Sequence, residues 1–178
     1  DDTYSDPVVA GAIAGRSFVT TGPSLLFKVK DSMPGDTVTA GEQKYSLAIA
    51  TTATLGAVEI IVNGRVVQTL KAIKAGQTKT YQGIVNLPEG GWVAARAFAT
   101  EQQADSWPTM HARPFAHSSP IWINSIGSTS EVAKQAAVAD LLKAIDAAEK
   151  TAKNAYQDLD MPKLYRRFEQ ARAKLLDE

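Results

Sequence analysis

The sequence predicts a mainly β protein, an antiparallel immunoglobulin-like β-sandwich with a short N-terminal helix and a C-terminal helical pair. Three observations predict it: short segments in which apolar and polar residues alternate, turn signals between those segments, and a change to helical periodicity after residue 127. Strand segments that follow one another without intervening helices favour antiparallel sheets. We therefore expect a β-sandwich domain over residues 1–127, including the short helix, and a helical extension over residues 128–178 that packs on it.

The first elements are a helix and two strands. Ser5 is suited to cap a helix, Pro7 is tolerated in its first turn, and Gly15 is placed to end it. The β-branched and aromatic segment 17–20 then predicts a strand. A second strand is predicted where apolar residues alternate with polar ones, at Leu25, Phe27 and Val29.

Turn residues divide the middle of the chain into further strands. Asn63-Gly64 predicts a type I′ hairpin because both turn positions need a positive φ. A second hairpin is expected between residues 80–87 and 92–99 through the turn 88–91, and a last strand at 120–123. The side chains expected inside the sandwich are Phe27, Leu47, Ile49, Val58, Ile60, Val62, Val93 and Ala95.

The C-terminal region has helical spacing. Ser128 and Glu131 have the spacing of a capping box, which predicts that a long helix begins there. A second helix is expected after Asp160 and Pro162. Apolar residues recur on one side of each helix, at Val138, Leu141, Leu142, Ile145 and Ala152 in the first and at Leu164, Phe168, Ala171 and Leu175 in the second.

Composition excludes several classes of partner. The 19 basic and 19 acidic side chains cancel, so no net field attracts nucleic acid or an anionic membrane, and no segment has the length and apolar character of a membrane span. Cysteine is absent, which excludes disulfides and thiolate metal sites and leaves the compartment open. The opening residues have no initiator methionine or signal-peptide pattern, so we expect a removed leader or a segment cut from a longer polypeptide.

The two histidines, His111 and His117, are the first candidates for chemistry. Together with Asp105 they offer three ligands of the kind that a catalytic zinc site needs, but their spacing matches no established pattern. We therefore expect hydrogen-bonded or interface histidines, no bound metal and no cofactor. A triad with Ser118 is not expected, because neighbouring side chains on a strand point to opposite faces.

Two other features have structural and functional interpretations. Arg96 lies in the middle of a predicted strand, where its charge needs either a partner or access to solvent. The tryptophans Trp92, Trp107 and Trp122 form either a sugar-stacking platform or, more commonly in β proteins, part of the core.

An ordered set of motifs resembles a known family. The motifs are GRSFVTTGP at 15–23, PGD at 34–36, VNGRVV at 62–67, GWVAAR at 91–96, FAHSSPIW at 115–122 and EQAR at 169–172. Together they span nearly the whole chain and resemble the region that follows the catalytic domain in bacterial CehA/McbA-type metallohydrolases. Those proteins join a metal-binding domain of the PHP type (polymerase and histidinol phosphatase-like) to a C-terminal β domain.

The resemblance implies an accessory role and no catalytic residues in this chain, because the family's metal ligands belong to the upstream PHP-type domain. The implied partner is that domain in the same polypeptide, and a periplasmic or secreted location is favoured over the cytoplasm. We expect residues that face it to be Arg16, Trp107, His111, Arg113, Phe115 and His117. The alternatives are a free-standing ligand- or carbohydrate-binding module and a small hydrolase or metal enzyme built from His111, His117 and Asp105.

Overall fold

Ten strands and three helices make up the part of the chain that the computed structural model describes, residues 5–100, 113–156 and 161–176. The helices are α1 (Ser5–Ile13), α2 (Glu131–Ala155) and α3 (Pro162–Leu176). The strands are β1 (Phe18–Thr20), β2 (Ser24–Val29), β3 (Thr37–Val38), β4 (Gly41–Ala50), β5 (Ala57–Val62), β6 (Arg65–Leu70), β7 (Thr78–Leu87), β8 (Gly91–Phe98), β9 (Phe115–Ser118) and β10 (Ile121–Ile123). The chain divides into two compact units, 1–130 and 131–178.

The strands form two sheets. In the seven-stranded sheet, β8 pairs with β5 on one side and with β9 and β10 on the other, and β6, β1 and β3 lie outside them. The three-stranded sheet has the order β2-β4-β7. All pairs are antiparallel except β3 with β10. The predicted fold class, a mainly β, antiparallel immunoglobulin-like sandwich with a short N-terminal helix and a C-terminal helical pair, is confirmed.

The apolar positions of the alternating strands form one core between the sheets. Each of the eight side chains predicted to lie inside is at most 7% exposed: Phe27, Leu47, Ile49, Val58, Ile60, Val62, Val93 and Ala95. The period-two pattern therefore located the buried face of each of these strands correctly.

The hairpin at Asn63-Gly64 is confirmed, and its asparagine has a second role. Asn63 and Gly64 have φ of 50° and 79°, as a type I′ turn requires. The Asn63 side chain accepts a hydrogen bond from the Trp92 amide (2.8 Å) and donates one to the Gly90 carbonyl (3.1 Å). A Cβ on Gly91 would lie 1.8 Å from Asn63 Oδ1. Asn63 therefore fastens the hairpin to the start of β8.

The predicted hairpin between residues 80–87 and 92–99 is wrong. β7 pairs with β4 along ten residues of the three-stranded sheet, whereas β8 lies in the seven-stranded sheet. The segment 88–91 therefore crosses from one sheet to the other. Its proline and glycines indicated a turn correctly, but a turn signal does not say whether the flanking strands pair with each other.

The predicted capping box is also wrong. α2 begins at Glu131, and Ser128 lies before it in the sandwich unit. The Ser128 hydroxyl accepts a hydrogen bond from the Gly91 amide (3.1 Å) and lies 2.6 Å from the Ile123 carbonyl oxygen. Ser128 therefore joins the ends of β8 and β10 instead of capping the helix.

Two buried tyrosines connect the sheets. The Tyr45 hydroxyl on β4 donates to Gln68 Oε1 on β6 (2.7 Å), and the Tyr81 hydroxyl on β7 donates to the Lys71 carbonyl (2.6 Å). Gly83 leaves room for Tyr45, because a Cβ there would lie 2.7 Å from its hydroxyl. Burial raises the pKa of both tyrosines above the ordinary value of 10.0.

In the helical unit, α2 and α3 contact each other, but neither contains a fully buried residue. Arg172 of α3 contacts Asp146 (2.8 Å) and Glu149 of α2. Hydrogen bonds from Lys153 and Arg172 lower the pKa of Glu149. Within the described residues, none of the helices combines the length and the apolar character needed to cross a membrane. The expected packing of this unit on the sandwich stays a prediction.

We expect stability to fall at alkaline pH because of the two buried tyrosines. A raised folded-state pKa means that their contribution is complete below the ordinary pKa and is lost as the pH rises through the raised values. The double variant Tyr45→Phe, Tyr81→Phe should lose about 2 kcal/mol at neutral pH and show a weaker alkaline decline. Urea unfolding between about pH 7 and pH 12 measures both effects. The exposed Tyr156→Phe is the control, and an alkaline decline equal in all three proteins contradicts the assignment.

We expect Asn63→Gly to lower the free energy of unfolding by about 2 kcal/mol, because the turn conformation is kept while both side-chain hydrogen bonds are lost. Gly64→Asn is the matched control at the other turn position. A Cβ there meets nothing within 4 Å, and asparagine tolerates positive φ, so the cost should be below about 1 kcal/mol. Denaturant unfolding of both variants is the measurement, and equal losses would show that Asn63 acts through the turn alone.

Candidate functional site

The linker between α1 and β1 rests on the turn before β3. Gly35 has a φ of 92°, and a Cβ on it would lie 1.8 Å from the Ala14 carbonyl oxygen. The Gly35 amide also donates to the Pro120 carbonyl oxygen (2.8 Å). Three segments that are distant in the sequence therefore meet at one glycine, which fixes where α1 leaves the sandwich.

Arg16 reinforces this junction only weakly. Its Nη2 lies 3.5 Å from Asp36 Oδ1 in an exposed ion pair. Such pairs contribute about 0–1 kcal/mol. Asp36 is better fixed than Arg16, since its other carboxylate oxygen accepts from the Met33 amide (2.9 Å) and its carbonyl accepts from the Trp122 amide (2.9 Å). Arg16 therefore retains an exposed guanidinium at the end of α1.

α1 itself exposes large apolar side chains. Val8, Val9 and Ile13 are 72%, 51% and 82% exposed. The strand that follows α1 lies at the edge of the seven-stranded sheet, and its Phe18 and Val19 are 41% and 65% exposed. We call α1, Arg16, β1 and the neighbouring β9 the N-terminal face. It concentrates apolar surface within one short stretch of the fold.

A row of paired residues crosses the outer surface of the same sheet. Val19 pairs with His117, His117 with Arg96, and Arg96 with Glu59. The Arg96 Nε donates to Glu59 Oε2 (2.6 Å), and its guanidinium lies 5.4 Å from the Phe98 ring centre. Arg96 therefore has the partner that its mid-strand position required, and His117 lies between this ion pair and the sheet edge.

The structure brings together some of the residues expected to face a partner. Phe115 and His117 lie two positions apart on β9, both half-buried, and β9 pairs with β1. Arg113 precedes β9 and is exposed, while its carbonyl accepts from the Thr21 hydroxyl (3.3 Å). Arg16 lies at the other end of β1. Trp107 and His111 lie outside the described residues, as does Asp105 of the rejected metal site.

The catalytic alternatives gain no support from the described residues. Ser118 is buried on the face of β9 opposite His117, and its hydroxyl accepts from the Ala95 amide (3.0 Å). His117 Nδ1 lies 2.7 Å from the Ser118 carbonyl oxygen. Among residues 5–100, 113–156 and 161–176, no three histidine, aspartate or glutamate side chains cluster as metal ligands. These geometries fit structural roles for Ser118 and His117.

Sequence reasoning missed two residues that join segments distant in the sequence. Gly35 and Asn63 were noted as motif or turn residues, yet each makes a contact with a distant segment. The sequence signal that could have indicated these contacts is that both residues lie in motifs for which no catalytic or binding role is predicted. Trp92 and Trp122 are cross-strand partners on β8 and β10, and both are half-buried, whereas Trp107 lies outside the described residues.

We expect Gly35→Ala to release α1, because the added methyl group cannot coexist with the Ala14 carbonyl and the positive φ adds strain. Gly41→Ala is the matched control, since its φ of 93° is nearly the same but a Cβ there meets nothing within 4 Å. The control should cost about 1 kcal/mol and the Gly35 variant more than about 2 kcal/mol. Amide exchange over residues 5–16 should accelerate in the Gly35 variant alone. Equal acceleration in both variants would show that the cost comes from positive φ and not from the contact with Ala14.

No protein-family model and no curated protein matches this chain. Among solved structures, it is similar to the CARDB domain of a protein from Pyrococcus furiosus, with 13% identity over 57% of this chain and 95% of that one and a TM-score of 0.37. It is also similar to the C-terminal domain of Wzt, with 9% identity over 64% of this chain and 80% of that one and a TM-score of 0.36. Likeness this low assigns neither activity nor ligand to this chain.

Proposed function

We propose that this β-sandwich module is a non-catalytic accessory domain of a bacterial PHP-type metal-dependent hydrolase and that it docks on the catalytic domain of the same polypeptide. The observation that carries the proposal is the exposure of Val8, Val9 and Ile13 on α1. Apolar side chains exposed together on one short helix are typical of a surface that another protein covers. A second domain that covers α1 would therefore explain why the helix has apolar side chains that the sandwich itself leaves exposed.

The free energy available at this surface is sufficient for docking within one polypeptide. Burying one fully exposed aliphatic side chain contributes about 1.5–3 kcal/mol, so the three partly exposed side chains of α1 together offer roughly 3–6 kcal/mol before the costs of association. A linked partner is present at high effective concentration, so a modest interface is enough. On β1, Val19 is also exposed, on the outer face of the sheet that it shares with His117.

Polar and aromatic residues lie on and next to the β1–β9 pair, which begins shortly after α1 in the chain. Arg16 and Arg113 are exposed at the two ends of the β1–β9 pair, and Phe115 and His117 are half-buried on β9. Arginine and aromatic side chains are enriched in protein interfaces, usually around an apolar centre. The N-terminal face thus has the composition that docking requires.

The partner is inferred from the family resemblance. In the proposal, the PHP-type domain precedes this sandwich in the same polypeptide. The first described element of the sandwich unit is α1, which has the exposed apolar side chains. The reaction, attack of metal-activated water on an ester, carbamate or phosphoester, belongs to that domain. This chain has only two histidines, so its role in the proposal is to shape or cover the substrate entrance.

The test compares the isolated chain with the longer polypeptide that also contains the upstream domain. The double variant Val8→Asp, Ile13→Asp should separate the two domains in the longer protein, seen as faster amide exchange over α1 and at least tenfold lower hydrolytic activity. In the isolated chain the same variant should change the melting temperature by less than about 2 °C, since both side chains are already exposed. Arg113→Ala should act in the same direction with a smaller effect.

Ile84→Asp is the matched control, because Ile84 is a similarly exposed apolar residue on β7 of the other sheet. It should leave exchange over α1 and activity unchanged. If α1 exchanges equally fast in the isolated and the longer protein, or if the control acts like the α1 variant, the docking proposal is wrong.

A further inference from the structure

A groove of about 860 Å³ lies beside the junction of α1 and β1. Its walls come from the end of α1 with its linker, the turn between β2 and β3, and β10 with the residues after it. The residues that matter for its chemistry are Ile13, Arg16, Asp31, Asp36, Trp122 and Ile126. The groove is open to solvent, so it suits a ligand that lies against the surface better than one that is fully enclosed.

The walls of the groove are fixed by backbone contacts. The Gly35 amide donates to the Pro120 carbonyl oxygen (2.8 Å), and the Trp122 amide donates to the Asp36 carbonyl oxygen (2.9 Å). These bonds hold the turn before β3 against β10. A ligand therefore meets a site that is already formed and does not lose free energy by ordering it.

The lining combines apolar and hydrogen-bonding groups. Trp122 supplies an aromatic surface, and Ile13 and Ile126, 82% and 73% exposed, extend the apolar area. Asp31 and Asp36 supply carboxylate acceptors, and Arg16 supplies guanidinium donors. A lining that contains both an aromatic side chain and planar polar side chains matches the chemistry of a pyranose ring, which has an apolar face of C–H groups and an edge of hydroxyls.

The charge of the lining selects among saccharides. The lining contains one guanidinium, Arg16, and two carboxylates, Asp31 and Asp36, so these three groups carry a net charge of 1 − 2 = −1. An anionic sugar or a phosphate would be repelled by the carboxylate left without a counter-ion. We infer that this groove is a binding site for a neutral oligosaccharide, with Trp122 stacking on a sugar ring and Asp31 and Arg16 contacting hydroxyls.

The groove and its lining belong to the sandwich unit. Ile13 and Arg16 are also part of the N-terminal face, so the binding test uses the chain without an upstream domain, in which this face is exposed. The test is calorimetric titration of the full 178-residue chain with cellohexaose, xylohexaose, mannohexaose and chitohexaose, with oligogalacturonate as the anionic probe. At least one neutral probe should bind, and more tightly than oligogalacturonate. Trp122→Ala should weaken that binding at least tenfold.

Trp92→Ala is the matched control, because Trp92 is the cross-strand partner of Trp122 but does not line the groove. Asp31→Ala provides a second test that does not risk folding, since Asp31 is exposed, and it should weaken binding several-fold at an unchanged melting temperature. The inference is overturned if none of the four neutral probes binds, if oligogalacturonate binds best, or if binding survives both groove variants. Loss of binding in Trp92→Ala equal to that in Trp122→Ala also overturns it.

Discussion

The seven-stranded sheet depends on the pairing of β8 with strands on both of its sides. β5 occupies one side, and β9 and β10 share the other. Its small inward-facing residues, Ala95 and Ala97, are fully buried and allow close approach of the opposite sheet. Without β8, neither β1 with β9 nor β3 with β10 would be attached to the β5–β6 hairpin.

This central position explains why contacts collect at the start of β8. The chain reaches it by crossing from the other sheet, so its first residues need a fixed path. Asn63 and Ser128 provide that path through hydrogen bonds to the segment 90–92, and Gly91 has no Cβ that would block Asn63. These hydrogen bonds join the hairpin tip at Asn63, the crossover at 88–91 and the end of the sandwich unit at Ser128. The conformation of each of these three segments therefore depends on the other two.

The sequence predicted the features that a local pattern determines. Alternation placed Phe27 and Leu47 in the core because a strand has a period of two, and Asn63-Gly64 indicated its turn because few residues adopt positive φ. The partner of each strand is not a local property. The turn signal at 88–91 therefore predicts a hairpin, whereas β7 pairs with β4 along ten residues of the three-stranded sheet.

The same distinction applies to the candidate site. The sequence selected Arg16, Phe115 and His117 by residue type, and the structure places them along the β1–β9 pair. It did not single out Val8 or Ile13, because an apolar helix in a sequence is expected to be buried within its own domain. Only the structure shows that the sandwich leaves these side chains exposed.

The motif residues and the exposed apolar residues therefore differ in one respect: the interactions of the motif residues are made within the chain, whereas the exposed apolar residues can still contact a partner. Asn63, Ser128 and Gly35 look conspicuous in the sequence, yet their hydrogen bonds or close contacts are made within the chain, which fits a structural role. Val8 and Ile13 belong to no motif, but both are exposed, and burying either side chain against a partner is energetically favourable. In this chain, the exposed apolar side chains of α1 therefore lie where the sequence is chemically plain, and the close approach of Gly35 to the Ala14 carbonyl fixes the linker that follows them.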